Sequence, residues 1–141
     1  MRKFWPVLLC LGLCACSQQA AQTPPDAAAL LLKIPAADST KYNKTPGWHN
    51  PYLIVRPDWV GLISSDAPNE EQKLKPEEVL DVLSKLPASS WPYGRVVAVV
   101  ANEGKDISEP EKVAVRRSRG IIGGELKSAQ VEIEWVDPHR L

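Results

Sequence analysis

The hydrophobic pattern of the second half of the chain is regular enough to assign elements. Residues 131–136, Val-Glu-Ile-Glu-Trp-Val, alternate apolar and polar, which predicts a strand with one buried face and with Glu132 and Glu134 toward water. Residues 95–101 are apolar on both faces, as a central strand requires. Residues 52–56 read as a first strand, Pro57-Asp58 as a turn, and residues 59–63 as a second strand. The stretch from there to Lys75 is polar and reads as a loop. Pro76, Glu77 and Glu78 then open a helix whose Val79, Leu80, Leu83 and Leu86 share one face, and Pro87 stops it. Trp91-Pro92-Tyr93-Gly94 has the residues of a type I turn. Ser108 and Glu111 form a capping box ahead of a second helix with Val115, Ile122, Leu126 and Ala129 on one side. Gly120, Gly123 and Gly124 each weaken that helix by about 1 kcal/mol relative to alanine, so a kink or an early end is expected. The resulting order, β-β-α-β-α-β over residues 51–141, predicts an α/β fold: a small two-layer sandwich with parallel strand pairs joined by helices.

The first fifty residues read differently. Residues 26–35 hold one short apolar run that Asp26 can cap and Pro35 ends, predicting a short helix over 27–34 whose Leu30, Leu31, Leu32 and Ile34 are expected to dock on the domain, with a contact surface as the alternative. Around it the chain is polar and rich in Pro, Ser, Thr and Asn, which predicts a flexible tether over 16–50. At the start, Arg2 and Lys3 precede an apolar stretch too short to span a bilayer but suited to a signal peptide over residues 1–15.

All three cysteines of the 141-residue chain, Cys10, Cys14 and Cys16, lie in this leader. They close no useful loop, and His49 and His139 stand too far off to complete a metal site with them. Leu13-Cys14-Ala15-Cys16 resembles the lipobox of bacterial lipoproteins. That resemblance implies cleavage before Cys16, lipidation of its sulfur and amino group, and membrane attachment through the lipid. Ser17 at the next position implies export to the outer membrane, facing the periplasm. Two or more acyl chains, at about 0.8 kcal/mol per buried CH₂, hold a protein firmly.

Charge narrows the partners. The chain carries 17 Lys+Arg against 17 Asp+Glu; without residues 1–15, which contain Arg2 and Lys3, the balance becomes 15 against 17. No basic stripe of the kind a nucleic-acid binder needs is present. Phe and Met are confined to the leader, so the core must be built from Val, Leu, Ile and Trp.

Candidate chemistry is sparse. Arg116 to Glu125, "RRSRGIIGGE", resembles the activation junction of trypsin-like proteases, but Gly120 interrupts it and no Ser-His-Asp set follows. Its glycines and arginines also lack the spacing of a phosphate loop. "PGWHNPY" gathers Trp48, His49 and Tyr52 where aromatic rings can stack on a sugar or a peptide, and Trp91 and Tyr93 form a similar pair. These five are the candidate ligand or partner contacts. No nucleophile, zinc or cofactor signature appears, and no cofactor or metal is expected.

"LPASSWPYGRVVAV", residues 86–99, resembles small bacterial lipoproteins whose membership implies no activity. "LKPEEVLDVLSKLP" followed by "GRVVAVVAN" resembles the helix and following strand of the periplasmic domains of ExbD and TolR. Those proteins carry a transmembrane helix where this chain has a lipobox, so the likeness implies a partner-binding domain and not motor coupling. The expectation is a non-catalytic envelope lipoprotein that binds another protein, with a periplasmic inhibitor of an enzyme, plugging through residues 46–52, as the alternative.

Overall fold

The computed structural model describes residues 26–136 apart from 45, 102 and 105; the leader, Cys16, the first part of the expected tether and His139 lie outside the described residues. The chain is an α/β fold with a five-stranded mixed sheet. The strands are β1 (Tyr52–Val55), β2 (Val60–Ser64), β3 (Ala67–Leu74), β4 (Val96–Ala101) and β5 (Glu132–Trp135), in the spatial order β3-β2-β1-β4-β5. β1, β2 and β3 form an antiparallel meander, while β1 pairs with β4, and β4 with β5, in parallel. The helices are α1 (Ala27–Leu31), α2 (Ser39–Tyr42), α3 (Val79–Ser84) and α4 (Glu109–Ser128).

One strand departs from the expected order. Residues 67–74, read as a polar loop, form β3, so the observed order places three strands before the first crossover helix. Ala-Pro-Asn-Glu-Glu-Gln-Lys-Leu carries no apolar alternation because this is an edge strand that buries only Leu74. It exists because the Ser65-Asp66 turn folds it back on β2, and the pairing tolerates an irregularity between Leu62 and Ser64. Pro68 fits there, since an edge strand has positions that need no N–H donor.

The core lies on one face of the sheet. Leu53, Val55, Val60, Leu62, Leu74, Val97 and Val99 point from the strands to meet Leu31 of α1, Val79 and Leu83 of α3, and Val115, Ile122 and Leu126 of α4. Leu31 is fully buried. Residues 26–50, expected to belong to the tether, therefore start the folded unit: Asp26 caps α1, Asp38 caps α2, and the strand-like segment between them is bonded to the 93–95 stretch. The Asp38 N–H donates to the Tyr93 carbonyl (2.9 Å) and the Arg95 N–H to the Pro35 carbonyl (2.8 Å). Gly94 (φ +78°) is required at this crossing, because a Cβ there would strike the carbonyls of Ala36 and Pro35.

α4 runs as one continuous helix through its three glycines, against the expected early end. Its capping box forms: the Ser108 N–H donates to Glu111 (2.7 Å) and the Glu111 N–H to the Ser108 hydroxyl (3.4 Å). Burial of Val115, Ser118, Ile122 and Leu126 on the sheet side outweighs the glycine cost, and the glycines face open space. The helix closes with Gln130 in the left-handed region (φ 56°), where the Val131 N–H bonds to the Leu126 carbonyl in a Schellman arrangement. Glu125 keeps one carboxylate oxygen buried without a partner; burial, and then the negative charge of Glu77, push its carboxyl above the ordinary range.

These features set three stability outcomes, each readable from urea denaturation. Gly124→Ala should stabilise the domain by about 1 kcal/mol, because nothing lies within 4 Å of the added methyl. Gln130→Gly should also stabilise, by about 1 kcal/mol, by removing the left-handed penalty. Unchanged or lower midpoints would refute the account of α4. Because the folded pKa of Glu125 is raised, its protonated form favours folding, a contribution complete in acid and lost as pH rises through the raised value. Glu125→Gln should therefore gain stability at neutral pH and little in acid; equal shifts at both pH values would reject this.

Candidate functional site

The segment 42–52 crosses the sheet face opposite the helices. By strand alternation that face carries Tyr52 and Ile54 of β1, Gly61 and Ile63 of β2, Val96, Ala98 and Val100 of β4, and Glu132 and Glu134 of β5. Asn50 fixes the segment to the sheet. Its side-chain amide, 3% exposed, donates to the carbonyls of Gly94 and Val96 (2.7 Å each), and its oxygen accepts the Tyr93 N–H (2.9 Å). The Ala98 N–H then bonds to the Pro51 carbonyl (3.2 Å), and β1 enters the sheet in register with β4.

Around this tie stands an aromatic group. Trp48 meets Tyr42 and Tyr93 edge-on at ring-centre distances of 5.5 and 5.6 Å, and its indole N–H donates to the Pro51 carbonyl (3.2 Å). His49 lies against Tyr93 at 6.1 Å but is itself exposed. The Tyr42 hydroxyl donates to Glu132 (3.3 Å); burial, and then the Glu132 carboxylate, raise its pKa. Edge-on contacts of this type add about 0.5–1.5 kcal/mol per pair beyond burial. The loop is thus held down as a wall.

That wall closes one side of an open hollow of about 280 Å³, lined by Trp48, Asn50, Tyr52, Ile63, Ser64, Ser65 and Pro68. The lining holds no charged side chain. Tyr52 and Ile63 are cross-strand partners, so both side chains rise from the sheet together. The Tyr52 hydroxyl is buried and has no hydrogen-bond partner among the described residues. Its burial pushes the phenol up, with Arg56 pulling it the other way. Farther along the same face, Arg56 pairs with Glu71 across Gly61, and Arg56 and Lys73 lie over the Trp59 ring at 4.1 and 4.7 Å.

Of the five sequence-predicted contacts, Trp48 and Tyr52 meet in the hollow and His49 lies exposed beside the Tyr93 ring. Trp91 and Tyr93 are each 4% exposed; Trp91 joins the helix-side core and Tyr93 supports Trp48 from behind. Sequence reasoning did not reach Ile63, Ser64, Ser65 and Pro68. Ile63 joins the site through its pairing with Tyr52, and Ser65 and Pro68 because β3 folds back, for which the turn residues Ser65-Asp66 were the available signal. No group of His, Cys, Asp and Glu able to hold a metal occurs among the described residues.

The sheet has two edges. β3 presents Glu70, Glu71, Gln72 and Lys73, a charged edge of the kind that discourages pairing. β5 is the other. The N–H groups of Glu132 and Val136 bond inward to Arg95 and Val99 (2.9 and 3.0 Å), so by alternation the N–H and C=O groups of Ile133 and Trp135 face outward. Trp135 is 42% exposed, with Arg119 stacked over its ring at 4.2 Å.

Asn50→Ala should cost about 2–4 kcal/mol, because it strands the Tyr93 N–H and the Val96 carbonyl in a buried site. A loss under about 1 kcal/mol in chemical denaturation would show that the tie does not hold the wall. Comparison with family models, with curated proteins and with solved structures found no match.

Proposed function

We propose that this chain is a lipid-anchored, non-catalytic envelope lipoprotein whose α/β domain is a protein-binding module facing the periplasm, attached to the outer membrane through lipid on Cys16. The observation that carries the reading is the edge of β5, which pairs with no further strand among the described residues. It offers the outward backbone groups of Ile133 and Trp135, the exposed Trp135 ring, and the carboxylates of Glu132 and Glu134 on one side. An extended segment of a partner added there would continue the sheet, with its backbone supplying affinity and basic side chains at alternate positions meeting the two carboxylates. The lipobox supports the address, and the helix–strand order of residues 74–102 supports the likeness to the periplasmic domains of ExbD and TolR. The loop of residues 46–52 favours this module over a plugging inhibitor, since Trp48 and Asn50 hold it against the sheet.

Two measurements test the reading. Radiolabelled palmitate should enter the chain in growing cells and be lost in Cys16→Ser, which should also move to the soluble fraction; label retained in that variant would remove the anchor. A photo-cross-linking residue at position 135 should give one discrete protein adduct in intact cells, and the same residue at position 70 on β3 should give none. Charge reversal by Glu132→Lys with Glu134→Lys should abolish the adduct. An adduct that survives reversal, or none from position 135, would defeat the edge reading.

A further inference from the structure

The β5 edge has two flanks of opposite sign. Glu132 and Glu134 pair across the sheet with Val96 and Ala98, so both belong to the face away from the helices, where both are exposed. The Tyr42 hydroxyl donates to Glu132 (3.3 Å), and neither carboxylate has an ion-pair partner among the described residues. Ile133 and Trp135 pair instead with Val97 and Val99 of the helix-side core. On that flank the Arg119 guanidinium of α4 lies over the Trp135 ring at 4.2 Å. Arg116 and Arg119 share one carboxylate, that of Glu103, at 3.2 and 3.5 Å, so these three side chains carry a net positive charge. Both arginine side chains remain open to solvent, at 59% and 45% exposure.

A second copy of the chain does not suit this edge. Antiparallel pairing of β5 with itself sets Glu134 opposite Glu134, or Glu132 opposite Glu134, and like charges directly opposite destabilise a strand pair. We propose that the occupant is a strand of alternating charge from another protein, a reading that rests on the β5 edge being the partner site. Its lysines or arginines lie on the side of Glu132 and Glu134. Its intervening positions carry aspartate or glutamate, on the side where Arg119 covers Trp135 and Arg116 stands beside it. Opposite and diagonal neighbours across a strand pair are within reach of such long side chains. A segment basic at every position is attracted on one flank and repelled on the other, so the two flanks together select by sign.

The test uses the full-length protein in a polyoxyethylene detergent, which is uncharged. Two blocked peptides are titrated, Thr-Lys-Glu-Lys-Glu-Thr and Thr-Lys-Thr-Lys-Thr-Thr, while amide hydrogen exchange is followed. Both peptides should slow exchange at the outward N–H groups of Ile133 and Trp135 in the millimolar range, with the inward-bonded N–H groups of Glu132 and Val136 as internal references. The alternating peptide should bind about two- to fivefold more tightly. Arg119→Gln should remove that difference and Arg119→Glu should invert it. The Lys-Thr peptide should bind Arg119→Gln as it binds the native protein, which a merely structural role for Arg119 would not give. Equal affinities in the native protein, or a preference that survives Arg119→Glu, would overturn the alternating-charge strand and leave the edge itself standing. Exchange unchanged by either peptide would overturn both. Protection that rises with protein concentration alone would overturn the proposal in favour of a second copy.

Discussion

The structure turns on one buried amide. Asn50 sits between the turn that precedes β4 and the start of β1, and its side chain bonds three backbone groups there, of which the Gly94 carbonyl also accepts the Val96 N–H (2.8 Å). A buried amide with its oxygen and nitrogen both engaged acts as a spacer of fixed length, because any shift of one strand against the other would break bonds that water cannot replace. The parallel register of β1 and β4 therefore follows from it, and with that register comes the placing of Tyr52 beside Ile63. The same turn carries Gly94, whose missing side chain lets the incoming 35–38 segment lie against it. Core, sheet and aromatic wall are thus tied at one end of the molecule.

How much was legible in the sequence follows from what each element buries. β4 and β5 announced themselves, the first because it is covered on both faces and the second because one face is wet. β1, β2 and both long helical segments followed from apolar spacing and capping residues. β3 did not, because an edge strand with one buried side chain leaves no hydrophobic period to read. α4 was legible in position but not in continuity. Three glycines argue locally against a helix, and only the sheet, absent from any local window, supplies the burial that keeps it continuous. The apolar run at residues 30–34 was legible as a docking segment, and Leu31 enters the core between helix and sheet with Ile34 packed against it.

The candidate site shows a similar division. Trp48 and Tyr52 were found by residue type, since aromatic rings in a loop are few and chemically distinctive. Trp91 and Tyr93 look the same by type, yet they are the supporting layer; burial, which separates the two pairs, has no local signature in a Pro-Gly turn. Ser64, Ser65 and Pro68 belong to the hollow through strand pairing alone.

The two faces of the sheet are satisfied to different degrees, and this argues for where function lies. On the helix side, close-packed aliphatic side chains fill the space and leave little for a ligand to do. On the other side an uncharged hollow stands open, and Glu132 and Glu134 flank the edge of β5. The described chain begins at α1, which packs on α3 in the helix layer. A lipid on Cys16 would reach Asp26 through ten residues, roughly 33–36 Å at full extension. A leash of that reach would leave the domain free to turn, so the open sheet face and the β5 edge would stay available to a partner.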